Sequence, residues 1–169
     1  MKKNKLPNVT SILGQGTLLD KIEKKLEEIQ HLATNLGIND IFRNKKFIEV
    51  LAARKLGHKW ANKCYGADAY EEVDGVIYPT EYKSSQDKGH GPGSFQFHWL
   101  SENKMKKIKE CKNIYFITMN GVTLLKIYKI STSKIIDLIS ENSTGSISIQ
   151  GHKSFHLPQL ISMGAERVF

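Results

Sequence analysis

The apolar positions of this chain first become periodic near Thr17. Leu19, Ile22, Leu26, Ile29 and Ala33 recur at three- and four-residue steps, the spacing of one face of an α-helix. Thr17 suits an N-cap, Asp20 the first turn, and Gly37 the position past the end, so a helix over 17–36 is expected. A second helix is expected from Asn39 or Asp40 to Leu56, where Ile41, Ile48, Leu51, Ala52 and Leu56 share a face and Gly57 closes it. The pattern then shifts to strand-like runs. Two extended segments between Asp68 and Ser84 flank Asp74-Gly75, a strong two-residue hairpin signal.

Residues 85–93, rich in glycine, read as a loop, and Lys104–Lys112 as the end of a basic helix. Ile114–Met119 reads as a buried strand, Asn120-Gly121 as a turn and Val122–Ile130 as the returning strand. Ser131 or Thr132 can cap a short helix through Ile139, and Ser146–Ile149 alternates as a strand does. Helices followed by a mixed set of strands point to an α/β (α+β) fold, a central mixed β-sheet flanked by helices. Residues 1–16, polar and aperiodic, are expected to form an N-terminal arm, and 17–169 one domain.

Charge changes the picture. Lys and Arg number 25 against 17 Asp and Glu, for a net charge of +8, so a polyanion is a plausible partner. Two cysteines, Cys64 and Cys111, are too few for a disulfide framework and lack zinc spacing. With neither a signal-peptide h-region nor a long apolar run, no membrane association is expected and a cytoplasmic protein is.

The candidate chemistry lies in Gly66-Ala67-Asp68-Ala69-Tyr70 and Pro79-Thr80-Glu81-Tyr82-Lys83-Ser84. Alternate residues of a strand share a face, so Glu81 and Lys83 project together and Tyr82 projects oppositely. If Asp68 lies on the facing strand, two carboxylates and a lysine converge. Carboxylate oxygens suit Mg²⁺, and a nearby lysine suits an attacking water and the charge of a phosphoryl transition state. The same residues also fit a plain surface ion pair. Asp74 competes for the first metal position but is the residue a two-residue turn demands. Glu49, at the edge of an apolar helical face, is a further candidate.

These segments resemble the PD-(D/E)XK type II restriction endonucleases, and within them the small PvuII-type enzymes. Gly37-Ile38-Asn39-Asp40-Ile41-Phe42 upstream, and Gly151-His152-Lys153 with Pro158 and a C-terminal aromatic downstream, extend the resemblance over roughly 30–169. It implies a restriction-endonuclease-like fold and Mg²⁺-dependent hydrolysis of double-stranded DNA at a short palindromic site. It further implies Asp68, Glu81 and Lys83 as the catalytic set, with Asp68, Glu81 and Tyr82 holding the metal. A homodimer through the 17–36 helix, a partner DNA methyltransferase and a prokaryotic source follow in the same way. The segment 94–98 departs from the family, because Phe95-Gln96-Phe97-His98 stands where relatives carry histidines.

Gln96 and His98, two apart on an extended segment, can read adjacent bases, although a buried Phe95 and Phe97 face explains the same alternation. Ser154 and His156 form a second candidate reading segment, and Asn44 is a further expected DNA contact. Lys106 and Lys107, with Lys104 and Lys109, suit phosphate contacts or simple solvated charge.

Overall fold

The structure is a computed structural model, and it describes residues 16–62, 66–98, 100–141 and 153–169. The chain falls into two compact units, Met1–Arg43 and Asn44–Phe169. The expected strand at Ser146–Ile149, most of the N-terminal arm, Cys64 and Tyr65 lie outside the described residues.

The first unit is dominated by helix α1 (Gly16–Asn35). It includes Gly16, so Thr17 lies inside the first turn instead of capping it, and Asp20 falls beyond that turn. Gly37 adopts the left-handed conformation (φ 77°) and the Ile38 N–H reaches back to the Ala33 carbonyl at 2.9 Å, closing the helix in a Schellman motif. Gln30 fastens the segment that follows: its Nε2 donates to the carbonyls of Ile38 (3.3 Å) and Asn39 (2.9 Å), and its Oε1 accepts from the Ile41 N–H at 3.1 Å.

The expected helix from Asn39 or Asp40 is shorter than its periodicity suggests. Asp40 Oδ1 accepts the N–H groups of Phe42 (3.1 Å) and Arg43 (3.0 Å), an Asx turn that competes with helix formation. A 3₁₀ turn at Arg43–Lys45 then carries left-handed backbone at Asn44 (φ 51°) and Lys45 (φ 63°). Helix α2 therefore spans Lys46–Leu56, ending at a left-handed Gly57.

In the second unit β1 (Lys59–Trp60), β2 (Ala69–Val73) and β3 (Val76–Gln86) form an antiparallel meander. Asp74 (φ 53°) and Gly75 (φ 77°) both take positive φ between paired Val73 and Val76, the backbone of a type I′ hairpin. The strand runs past the expected loop boundary, since Ser85 and Gln86 still pair with Thr118 and Met119. The chain continues through β4 (Phe95–Phe97) and helix α3 (Glu102–Glu110), then returns as β5 (Asn113–Asn120), parallel to β3. β5 and β6 (Thr123–Ser131) make a hairpin whose turn is Gly121-Val122, one residue later than expected; Gln86 clamps Gly121 through two side-chain hydrogen bonds of 3.0 Å. Helix α4 (Thr132–Glu141), β7 (Lys153–Phe155), helix α5 (Leu157–Ser162) and β8 (Glu166–Arg167) complete the described chain.

The main sheet has the order β1-β2-β3-β5-β6-β8 and is mixed; β4 and β7 pair separately as an antiparallel ribbon. The two faces of β5 explain the layering. Ile114 and Phe116 pack with Phe95, Phe97, Ile108, Ile135 and Phe155 on one side. Tyr115, Ile117 and Met119 pack with Ile48, Ala52 and Ala53 of α2 and with Tyr82 on the other. A strand buried on both faces must be apolar throughout, which accounts for the unbroken run in β5. This is the mixed sheet with flanking helices expected from the sequence.

Candidate active site

Hairpin register sets the first geometry. Ala69 pairs with Thr80, so one step further Asp68 comes opposite Glu81, and the Asp68 N–H bonds the Thr80 carbonyl at 3.1 Å. Asp68 Oδ2 accepts the Tyr82 N–H at 2.7 Å, which fixes the carboxylate against the strand that carries Glu81 and Lys83. Glu81 Oε1 and Lys83 Nζ are in direct ion-pair contact, with side chains only 15% and 14% exposed. The Lys83 ammonium also lies 4.8 Å from the centre of the Phe97 ring.

Tyr82 projects to the opposite face, as strand alternation requires. Its hydroxyl is hydrogen-bonded to His58 Nδ1 at 2.8 Å, and its ring meets Tyr115 edge-on. Burial raises the Tyr82 pKa and lowers that of His58. With the ring engaged there, only the main-chain carbonyl of Tyr82 is left for a metal at the Asp68 side.

These groups open into one cleft of about 720 Å³. Glu49, Asp68, Glu81 and Lys83 line it together with Asn44, Gln96, His98, Lys104 and Lys107. Asn44, in left-handed backbone, lines the cleft just before α2 begins at Lys46. Lys106, Ser154 and His156 are not among its lining residues. Ser154 is nonetheless close to the reading segment: it pairs directly with Gln96 across the β4–β7 ribbon. Phe95, Phe97 and Phe155 are buried while Gln96, His98, Ser154 and His156 are exposed. The two segments that the sequence offered as alternatives thus form one ribbon with an aromatic underside and a polar outer face. Asp74 sits at the hairpin tip, away from the cleft.

The electrostatics favour a cation. Burial, then Glu81 and Glu49, push the Asp68 pKa well up, against the opposing Tyr82 N–H and Lys83. Burial also raises Glu49, offset by Lys46, whose ammonium is almost fully enclosed and 2.7 Å from Glu49 Oε2. Carboxylates gathered in a low-dielectric recess repel one another, and a divalent cation removes that repulsion. Among the described residues no three His, Cys, Asp or Glu side chains converge to enclose a metal. Two carboxylates with a main-chain carbonyl still fit Mg²⁺, which keeps several waters and commonly takes one or two protein carboxylates plus substrate phosphate oxygens.

Two supporting groups escaped the sequence reading. Glu71 is buried, and its carboxylate accepts the Asn113 N–H (3.2 Å), the Asn113 side-chain amide and the Tyr115 hydroxyl (2.7 Å), tying β2 to β5 beneath the site. Lys46 is the other. The partners of Glu71 lie far along the chain, and although Glu49 is only three residues from Lys46 on the same helix, the enclosure of Lys46 is set by what packs around it. Cys111 is a free, buried thiol with its pKa pushed up to about 12, chiefly by burial, as an inert core cysteine should be.

A mixed sheet with helices on both faces, with Asp68 just before one strand and Glu81 and Lys83 on the next at one cleft, has the restriction-endonuclease-like fold. The family model described as "Restriction endonuclease PvuII" matches residues 15–160, and the chain belongs to that family. It is accordingly a type II restriction endonuclease, a hydrolase that binds and cleaves double-stranded DNA, in a family that generally uses a divalent metal. A search of curated proteins gives no match. Among the described residues no helix is long and apolar enough to cross a membrane.

Proposed function

We propose that the protein is a homodimeric, Mg²⁺-dependent endonuclease that cuts both strands of a short palindromic duplex site. The observation that carries this reading is the meeting of Asp68, Glu81 and Lys83 in one cleft whose rim is basic and whose lining includes Gln96 and His98 of the β4 segment. Asp68, Glu81 and the Tyr82 carbonyl would hold Mg²⁺. When bound, the ion supplies Lewis-acid neutralisation of the scissile phosphate and lowers the pKa of water.

The protein's own groups do the rest. The Tyr82 N–H and the strand pairing hold Asp68 in place, so its oxygens are preorganised. Lys83, held against Glu81 and over Phe97, orients the attacking water and offers positive charge to the phosphorane-like transition state. Gln96, His98 and Asn44 face the DNA from the cleft, and Ser154 and His156 extend that surface along the ribbon; a two-stranded β-ribbon fits the major groove, where side chains can read base edges. Lys106 and Lys107 contact phosphates, which adds affinity without base information.

The dimer is supported by the α1 stripe. Leu19 (61%), Ile22 (54%), Leu26 (45%) and Ile29 (44%) are exposed along one helical face. A continuous apolar stripe of this kind is what a second copy covers, and two symmetry-related sites suit a twofold-symmetric target. A cognate methyltransferase and a cytoplasmic, prokaryotic setting accompany this reading.

Incubation of plasmid DNA with and without Mg²⁺, followed by sequencing of the fragment ends, tests it. Discrete fragments with one common palindrome at their ends, seen only with the metal, are expected. Nicks confined to branched or damaged DNA would indicate a structure-specific nuclease instead, and retardation without cutting a non-catalytic DNA-binding domain.

A further inference from the structure

Helix α3 follows the β4 segment, and its start is fixed by local capping. Ser101 Oγ accepts the Lys104 N–H at 3.3 Å, which pins residue 104 in the first turn. That turn faces the cleft: Ser101, Asn103, Lys104 and Lys107 line it, while Lys106 on the same helix does not. From there the Lys104 ammonium donates to the main-chain carbonyl of His98 at 3.2 Å, the residue just past the end of β4.

Lys104 therefore touches the exit of the reading strand. It also stands in the electrostatic field of the catalytic set. Its pKa is lowered by burial and then by Lys83, while Glu81 and Asp68 pull the other way. β4 itself is three residues long, and Phe95 and Phe97 anchor only its inner face. The Lys104 tether holds the outer end, where His98 leaves the ribbon toward α3.

We propose that Lys104 is a positioning residue that couples base reading to cleavage, by fixing the His98 end of the ribbon relative to Asp68, Glu81 and Lys83. The proposal rests on the nuclease reading given above. A base contact made correctly by Gln96 or His98 then places the scissile phosphate at the carboxylates, and a wrong base displaces it. Small displacements matter at this point, since a misplacement on the order of 1 Å costs about 100-fold in rate.

The test compares wild type with Lys104→Met, Lys104→Arg and Lys106→Met, on the cognate duplex found by end sequencing and on single-base variants of it. Single-turnover cleavage and equilibrium binding across a salt series are both measured, with melting curves as a check on folding. Lys104→Met is expected to cut the cognate site about 10- to 100-fold more slowly. It should slow the variant sites less, so that discrimination narrows, while its binding and salt slope change less than those of Lys106→Met, which removes a phosphate contact. Lys104→Arg, which can donate to the same carbonyl, should recover part of the discrimination. If Lys104→Met does not melt cooperatively, Lys104→Gln, whose amide falls short of the carbonyl, is read in its place.

Equal slowing on all sites with a flatter salt slope would make Lys104 an ordinary phosphate contact and overturn the proposal. Unchanged discrimination would overturn it too. Were the wild type to cut no duplex, the nuclease reading itself would fall and this proposal with it. That outcome is visible before any variant is made.

Discussion

Lys46→Met isolates the electrostatic support under the cleft. Lys46 is 2% exposed at the start of α2, and its ammonium lies 2.7 Å from Glu49 Oε2, whose side chain is 19% exposed. Methionine keeps most of the apolar stem and removes the charge, so the loss measures the ion pair more than the packing. Removing one partner of a buried pair costs about 3–5 kcal/mol. Glu49 retains some solvent and can take up a proton, which places the expected cost near the lower end, at about 3 kcal/mol. For a chain of this size each kcal/mol moves Tm by about 2–4 °C, so the variant should melt about 6–12 °C lower in metal-free buffer.

The pH dependence gives the sign. Burial already holds the folded Glu49 pKa above its ordinary value, with Lys46 opposing. Without Lys46 the folded pKa rises further. A carboxyl raised on folding binds protons more tightly in the folded state, so its stability contribution is complete below the unfolded pKa and is lost as pH rises through the folded one. The deficit of Lys46→Met should thus be largest near about pH 8 and shrink as the solution is acidified toward the ordinary carboxylate range. Lys46→Met with Glu49→Leu, which leaves no buried charge at the pair, should regain most of the loss. Calorimetric melts across pH provide the assay. A deficit under about 1 kcal/mol, a loss independent of pH, or a double variant no more stable than the single one would refute the reasoning.

Asp68→Ala, Glu81→Ala and Lys83→Ala should each lower plasmid cleavage by about 100- to 10,000-fold with a folded far-UV spectrum, whereas Asp74→Ala should cost about 1 kcal/mol in urea unfolding and leave cleavage intact. The wild-type mass in light scattering should be twice the 19.2 kDa of one chain, and Ile22→Glu with Leu26→Glu should reduce it to one. Gln96→Ala should lose about 1–3 kcal/mol of discrimination at a single base pair, while Lys107→Ala weakens binding to all duplexes and lowers the salt slope by about 1.

The hairpin of β2 and β3 was legible because its causes are local. Asp74-Gly75 can supply two positive φ angles, and the strand's period of two then sends Glu81 and Lys83 to one face and Tyr82 to the other. The stripe of α1, its glycine stop at Gly37 and the doubly buried run of β5 are legible for the same reason: the periodicity of neighbouring residues encodes them. Where local chemistry competes with periodicity, the pattern misleads. Ile41 fits the face of the second helix, yet the Asp40 turn and the left-handed Asn44 and Lys45 start that helix only at Lys46.

What only the tertiary structure decided are the relations across long stretches of chain. The pairing of Gln96 with Ser154 makes one ribbon of two segments, and the Glu71 carboxylate holds Asn113 and Tyr115. The burial of Lys46 belongs with them. A charged side chain has no periodic signature that separates a solvated position from an enclosed one. Its environment is set by whatever the rest of the chain packs around it, and that packing is decided by the burial of apolar surface contributed by segments far apart in sequence.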